Sequence, residues 1–211
     1  MTGKTPDVSD AYALDTPKAA RQLYAGWAKS YDYSFANARG YLLPDLTARA
    51  FANAGGCGPV LDVGAGTGLC GVALSGLRVT PVDATDISPD MLAQALRKDV
   101  YRDVIEADLN AGIPVPRQSY AGVVSSGTFT HGHLGPEVLP AILRVARSGA
   151  WFALSVNAAH YKEGGFATAF DRLLRGQWIT NLSLPEVRIY GEDAEGAHRN
   201  DTALIAVFQK V

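Results

Sequence analysis

Between residues 59 and 156 the apolar positions switch period again and again, and that alternation predicts strands and helices in turn. Val60-Leu61-Asp62-Val63 reads as a short strand, and Thr67 to Leu74 as a helix stopping near Gly76. Arg78 to Asp86 reads as a strand in which Pro81 would cost a ladder donor, unless the strand begins at Val82. The helix opened by Ser88-Pro89 puts Met91, Leu92, Ala95 and Leu96 on one face. Further strands follow at Asp103–Ala107, Tyr120–Ser126 and Ala150–Val156, with an apolar helix through Val138, Ile142 and Ala146 before the last. Such alternation implies a mostly parallel sheet with helices on both faces, an α/β Rossmann-like fold.

The flanks differ. Residues 1–15 are polar and are expected to be a flexible leader. Residues 16–56 form a helical cap, opening at Thr16-Pro17 as N-cap and first helical position. The α/β core then occupies 57–211, all within one domain. Near its end, strands around Val187–Tyr190 and Thr202–Phe208 flank a charged, Gly-containing loop of hairpin length.

Composition narrows the classes. With 47% hydrophobic and 19% charged residues the chain is expected to fold as a soluble protein. Nineteen basic against 21 acidic residues give a net charge of −2, a poor footprint for a nucleic-acid binder. No stretch is apolar for the ~20 residues a membrane span needs, and the N-terminal 15 residues lack a signal's apolar core. Cys57 and Cys70 alone make neither a disulfide framework nor a four-ligand zinc site, so a reduced cytoplasmic setting without metal is expected. The spacing fixes no oligomeric state.

The sharpest chemical signal is Asp62-Val63-Gly64-Ala65-Gly66-Thr67-Gly68, a strand running through alternate glycines into a helix. Glycine permits the turn and lets a ligand approach the backbone, while the helix start offers free amides. Gly66 to Gly71 satisfies the dinucleotide pattern by letter, but it starts three residues beyond the strand, and Asp62 suits a ligand's amino group better than a pyrophosphate. Asp86, eighteen residues after Gly68, ends the next strand and could accept hydrogen bonds from ribose hydroxyls. Asp108 ends the third strand, where it could take an adenine amino group between Ile87 and Leu109.

Together these stretches resemble the class I S-adenosylmethionine-dependent methyltransferases: Asp62–Gly68 their first motif, Asp86-Ile87-Ser88-Pro89-Asp90-Met91-Leu92 the second, Ala107-Asp108-Leu109 the third. The resemblance implies a seven-stranded sheet whose last strand is antiparallel, S-adenosyl-L-methionine as cofactor, and direct methyl transfer. Gly127-Thr128-Phe129-Thr130-His131-Gly132-His133 is similar to a branch named after the Williams–Beuren syndrome chromosome region, whose substrate the resemblance does not supply. Relatives with a similar Tyr-x-x-Trp-Ala-x-x-Tyr-Asp segment set the cap over the cofactor's methionine end, which makes Tyr31 a contact; plain core packing is the alternative. The cofactor set is then Tyr31, Asp62, Gly64, Ala65, Gly66, Gly68, Asp86, Ile87, Asp108, Leu109 and Ser125.

His131, His133 and His160 follow the fourth and fifth strands and are candidate bases, or simply exposed polar residues. The stretch Ser125–Thr128 lacks the Asn/Asp-Pro-Pro-aromatic signature of enzymes acting on exocyclic amines of bases. A small-molecule acceptor is therefore expected, a protein side chain being the alternative, with no nucleic acid or membrane partner. The rival readings are a cofactor-binding protein without catalysis and a nicotinamide-dependent oxidoreductase.

Overall fold

The computed structural model describes residues 7–14 and 16–211; residues 1–6 and Asp15, part of the expected leader, lie outside them. Part of the expected leader is helical. Asp7 caps helix α1 (Val8–Tyr12) by accepting from the Ser9 and Asp10 amides, and Ala11 is buried. Thr16 caps α2 (Pro17–Trp27), its hydroxyl accepting from the Ala19 amide at 3.2 Å. A π-helical turn (Asp32–Asn37) and α3 (Leu43–Asn53) follow.

The core then alternates as the apolar pattern predicts: β1 (Val60–Val63), α4 (Leu69–Gly76), β2 (Val82–Asp86), α5 (Pro89–Leu96), β3 (Asp103–Glu106) and β4 (Tyr120–Phe129). After a 3-10 turn come α6 (Leu139–Val145), β5 (Ala146–Asn157), α7 (Ala158–Glu163) and α8 (Phe166–Arg175). The strands β6 (Ile179–Ser183), β7 (Glu186–Arg188) and β8 (Thr202–Lys210) complete the chain. The second strand does begin at Val82, which leaves Pro81 ahead of the ladder.

The sheet order is β3-β2-β1-β4-β5-β8-β6, with β1 to β5 mutually parallel and β8 antiparallel to β5. Among the described residues eight strands are present rather than seven, because β6 and β7 share the last place: β6 pairs one half of β8 and β7 the other. The β7–β8 pairing is the expected hairpin. Phe152 stacks on Phe208 across β5–β8 with ring centroids 4.6 Å apart, inside one apolar layer; Phe51, Leu74 and Val124 anchor the layer on the opposite face. A third cluster, of Ala11, Trp27, Phe35, Tyr190 and Ala203, joins the cap to the hairpin.

The chain leaves β1 towards β2 and β3, then crosses back to place β4 on the other side of β1. That reversal opens a crevice at the carboxyl ends of β1 and β4, where open α/β sheets take ligands.

Candidate active site

A cavity of about 280 Å³ occupies that crevice and is roofed by α2 and the residues that follow it. Of the residues predicted from the sequence, Tyr31, Asp62, Gly64, Ala65, Gly66, Asp86, Ile87, Asp108 and Leu109 line it. Two do not. Gly68 packs away from the cavity, with Tyr101 and Ala95 where a Cβ would stand at 2.8 and 3.1 Å. Ser125 is wholly buried and donates to the Val63 carbonyl at 2.7 Å, stitching β4 to β1; its neighbour Ser126 faces the cavity instead.

The turn after β1 is held from below. Gly64 and Ala65 amides both donate to the Thr85 carbonyl, at 2.8 and 3.0 Å. The Gly66 amide donates to Asp86 Oδ2 at 2.8 Å, and the Ser88 amide to Asp86 Oδ1 at 2.9 Å. Asp86 thus fastens the turn while each of its oxygens keeps lone-pair capacity for a ligand. Burial pushes its carboxyl above the usual carboxylate range. Gly66 has φ +55° and nothing within 4 Å of where a Cβ would be, so the backbone lies bare to the cavity.

Asp62 is 0% exposed. Its Oδ2 accepts from the Tyr101 hydroxyl at 2.7 Å, and that hydroxyl accepts from the Gly71 amide at 3.1 Å. Oδ1 has no partner. Burial pushes the carboxyl up to about 7, against the Tyr101 hydrogen bond that lowers it. A buried carboxylate oxygen left without a donor is costly, and Asp62 lines a cavity whose occupant could supply one.

The cap is tied to the turn. Asp32 accepts from the Thr67 hydroxyl at 2.5 Å and from Lys98 Nζ at 2.6 Å, and the same Nζ donates to the Thr67 carbonyl at 2.6 Å. From α2, Arg21 donates to the Ile87 carbonyl at 3.0 Å and pairs with Glu106 at 3.0 Å. None of these tethers had a local sequence signature.

The three candidate histidines lie close together, with the His131 and His160 rings 5.1 Å apart, but they differ in their access to the cavity. His160 Nε2 donates to the Leu134 carbonyl at 3.0 Å, and its ring lies against Phe166, off the cavity. His131 does not line it either. His133 does, with Nε2 2.6 Å from the Tyr24 hydroxyl and Nδ1 3.0 Å from the His131 carbonyl. Because a carbonyl only accepts, Nδ1 carries the proton and the bare Nε2 accepts from Tyr24. Burial lowers the His133 pKa from its ordinary value, which favours this neutral form. Tyr24, Tyr41, Ser126 and Thr128 were missed; they come from the cap and from an irregular stretch of β4 between Ser125 and Phe129.

With this geometry in place, comparison with known proteins decides the class. Residues 60–149 match the family described as a methyltransferase domain. This stretch is a methyltransferase domain. Its cofactor is S-adenosyl-L-methionine. The chain is 28% identical over 186 residues to human "Methyltransferase-like protein 27", covering 82% of this chain and 75% of that protein. It is 28% identical over 109 residues to the "18S rRNA (guanine(1575)-N(7))-methyltransferase" of Saccharomyces cerevisiae, covering 51% of this chain and 40% of the yeast protein. A TehB-like SAM-dependent methyltransferase from Corynebacterium glutamicum superposes with a TM-score of 0.58 at 21% identity, over 92% of this chain and 100% of that one, which shows a shared fold. Among the described residues no helix of this methyltransferase is long and apolar enough to cross a membrane.

Proposed function

We propose that this methyltransferase acts on a small molecule, by direct displacement, with the cap of residues 16–56 closing over the reacting end. The observation that carries the reading is the lining of the cavity. Its charged residues are carboxylates, and no Lys or Arg is among the described residues that line it. A nucleic-acid acceptor brings phosphates that call for basic partners, so the lining favours a compact acceptor without them. The yeast relative is named for rRNA, which makes RNA the outcome to test against.

The residues present suit the cofactor. Asp62, with Oδ1 unpartnered, would hold the amino group, and the open backbone at Gly66 would admit a ligand to close range. Asp86 would accept from the ribose hydroxyls and Asp108 from the adenine amino group, with Ile87 and Leu109 on the ring. Tyr31 would lie near the methionine end. Once bound, S-adenosyl-L-methionine supplies a methyl group activated on a sulfonium sulfur. The protein's own part is then alignment of the reacting atoms and exclusion of water.

Calorimetric titration of S-adenosylhomocysteine, with NAD alongside, tests the site. One-site binding of the first and none of the second is expected; silence from S-adenosylhomocysteine in a folded protein overturns the cofactor assignment. Labelled methyl groups should then enter the low-mass fraction of a cell extract, and label in RNA would sink the small-molecule reading. Asp86→Ala is expected to weaken S-adenosylhomocysteine binding at least tenfold. Each bond to a charged acceptor contributes about 1.5–3 kcal/mol, and the Gly66 amide also loses its anchor. Unchanged affinity would remove Asp86 from the site.

A further inference from the structure

A second, smaller cavity of about 60 Å³ adjoins the first, and Tyr24, Tyr31, Tyr41, Gly127 and His133 line both. Its walls are aromatic and aliphatic: Trp27, Phe35, Ile189 and Tyr190, besides Tyr31 and Tyr41. Thr130, Ser155 and Asn157 line it as well. No Asp, Glu, Lys or Arg is among its described lining residues.

We propose that this chamber is the acceptor subsite, and that it takes a small uncharged compound of phenol type whose hydroxyl is deprotonated through Tyr24 onto His133. The proposal rests on the methyltransferase reading above and adds the substrate class and the proton route. Three observations set the class. On the scale where one water needs roughly 10–15 Å³, the chamber holds about four to six such volumes, enough for a single ring. A charged group placed there would leave water without a counter-charge, a cost of several kcal/mol or more. A protonated amine has the further defect of carrying no lone pair, whatever attraction the tyrosine rings offer it.

The proton route follows from the bond pattern. Tyr24 lines both cavities, and its hydroxyl already points its proton at His133 Nε2, 2.6 Å away. His133 Nδ1, held on the His131 carbonyl, fixes that tautomer. As the acceptor's O–H proton moves to Tyr24 Oη, the tyrosine's own proton moves to Nε2. The freed oxygen pair forms the bond to the methyl carbon, and the pair of the breaking carbon–sulfur bond stays on sulfur. The positive charge is thereby transferred from the sulfonium to His133, which later releases its proton to water. Burial raises the Tyr24 pKa well above that of an ordinary phenol, so Tyr24 passes a proton on rather than keeping a charge.

The test is ligand-observed NMR with phenol, benzoate and benzylammonium on the full chain saturated with S-adenosylhomocysteine. Phenol is expected to bind at least tenfold tighter than either ion. Ala11→Leu adds bulk where Ala11 borders the chamber and keeps a good helix former in α1, so it should abolish phenol binding and leave S-adenosylhomocysteine affinity within twofold. In methyl transfer to phenol, Tyr24→Phe and His133→Gln should each lower kcat about a hundredfold while KM for phenol moves less than threefold, the range of a lost general base. If the wild type fails to bind S-adenosylhomocysteine, the methyltransferase site itself falls. If it binds S-adenosylhomocysteine but takes benzoate or benzylammonium as well as phenol, or takes no phenol, the chamber proposal is overturned and that site stands. Phenol binding that survives Ala11→Leu, or a Tyr24→Phe enzyme with unaltered kcat, overturns it equally. Should Ala11→Leu fail to fold, the three-ligand comparison and the kcat–KM split still decide.

Discussion

Asp62→Asn is expected to abolish S-adenosylhomocysteine binding and, in the same protein without cofactor, to raise the melting temperature at pH 8. Both effects come from one unpartnered oxygen. Burial lifts the folded-state carboxyl to about 7, whereas the unfolded chain titrates near 3.8. A folded pKa above the unfolded one gives stability that is complete below about pH 4 and is lost as pH rises through about 7. At pH 8 the wild type therefore bears the whole penalty, at most about 4 kcal/mol at 1.36 kcal/mol per pH unit. Asparagine is neutral at every pH, and its carbonyl can still accept from Tyr101. A domain of this size melts roughly 2–4 °C higher per kcal/mol, so a gain of several degrees at pH 8 should shrink to nothing near pH 4. The loss of binding has the same origin. Removing one partner of a buried charge pair costs about 3–5 kcal/mol, a factor of 10² to 10³ or more in affinity. Melting curves at pH 4 and pH 8 with a calorimetric titration check both halves. An asparagine protein that melts lower at pH 8 would show that Tyr101 makes the charged form welcome.

Two glycines in the turn should respond differently to alanine. At Gly64, φ is +67° and a Cβ would meet the Thr128 hydroxyl at 2.1 Å and its methyl at 2.6 Å. Left-handed backbone costs a non-glycine residue about 1–2 kcal/mol, and overpacking adds a further 1–3. Gly64→Ala is thus expected to lose about 3 kcal/mol of stability or more, seen as a fall in the denaturant midpoint. Thr128→Ala in that background should restore part only, since Thr128 Cβ itself would lie 2.9 Å away. Gly66→Ala meets open space at φ +55°, so its cost in stability is the backbone term alone. Its methyl instead projects where the ligand is argued to approach, and S-adenosylhomocysteine affinity should fall at least tenfold. Equal affinities for Gly66→Ala and wild type would move the ligand off this turn.

The sheet was legible because local patterns and burial agree. β1 is buried along its whole length and apolar except at Asp62, whose polarity in such a strand marked it as a candidate site residue. The acids at successive strand ends were readable because a parallel sheet brings successive carboxyl ends to one edge. One residue of register decides between Ser125 and Ser126: in a strand neighbours face opposite ways, so an error of one moves a predicted contact into the sheet. β6 escaped because its exposure alternates poorly and Asn181 sits at φ 57°. The chamber was illegible for a different reason. Trp27, Phe35 and Tyr41 meet Ile189 and Tyr190 across the fold, and no spacing within the sequence records a contact of that separation.

That meeting of distant segments sets an order of assembly. The glycine turn and the strands beneath it draw on residues 60 to 129, so the cofactor crevice can take shape while a nascent chain is still lengthening. Trp27 and Phe35 must wait for Ile189, Tyr190 and Ala203 before their apolar faces are covered. Until those residues are made, the cap's aromatic rings lack the partners that cover them. A chain halted after β5 would hold a cofactor floor without an acceptor wall, and its uncovered tryptophan and phenylalanine would mark it for chaperones.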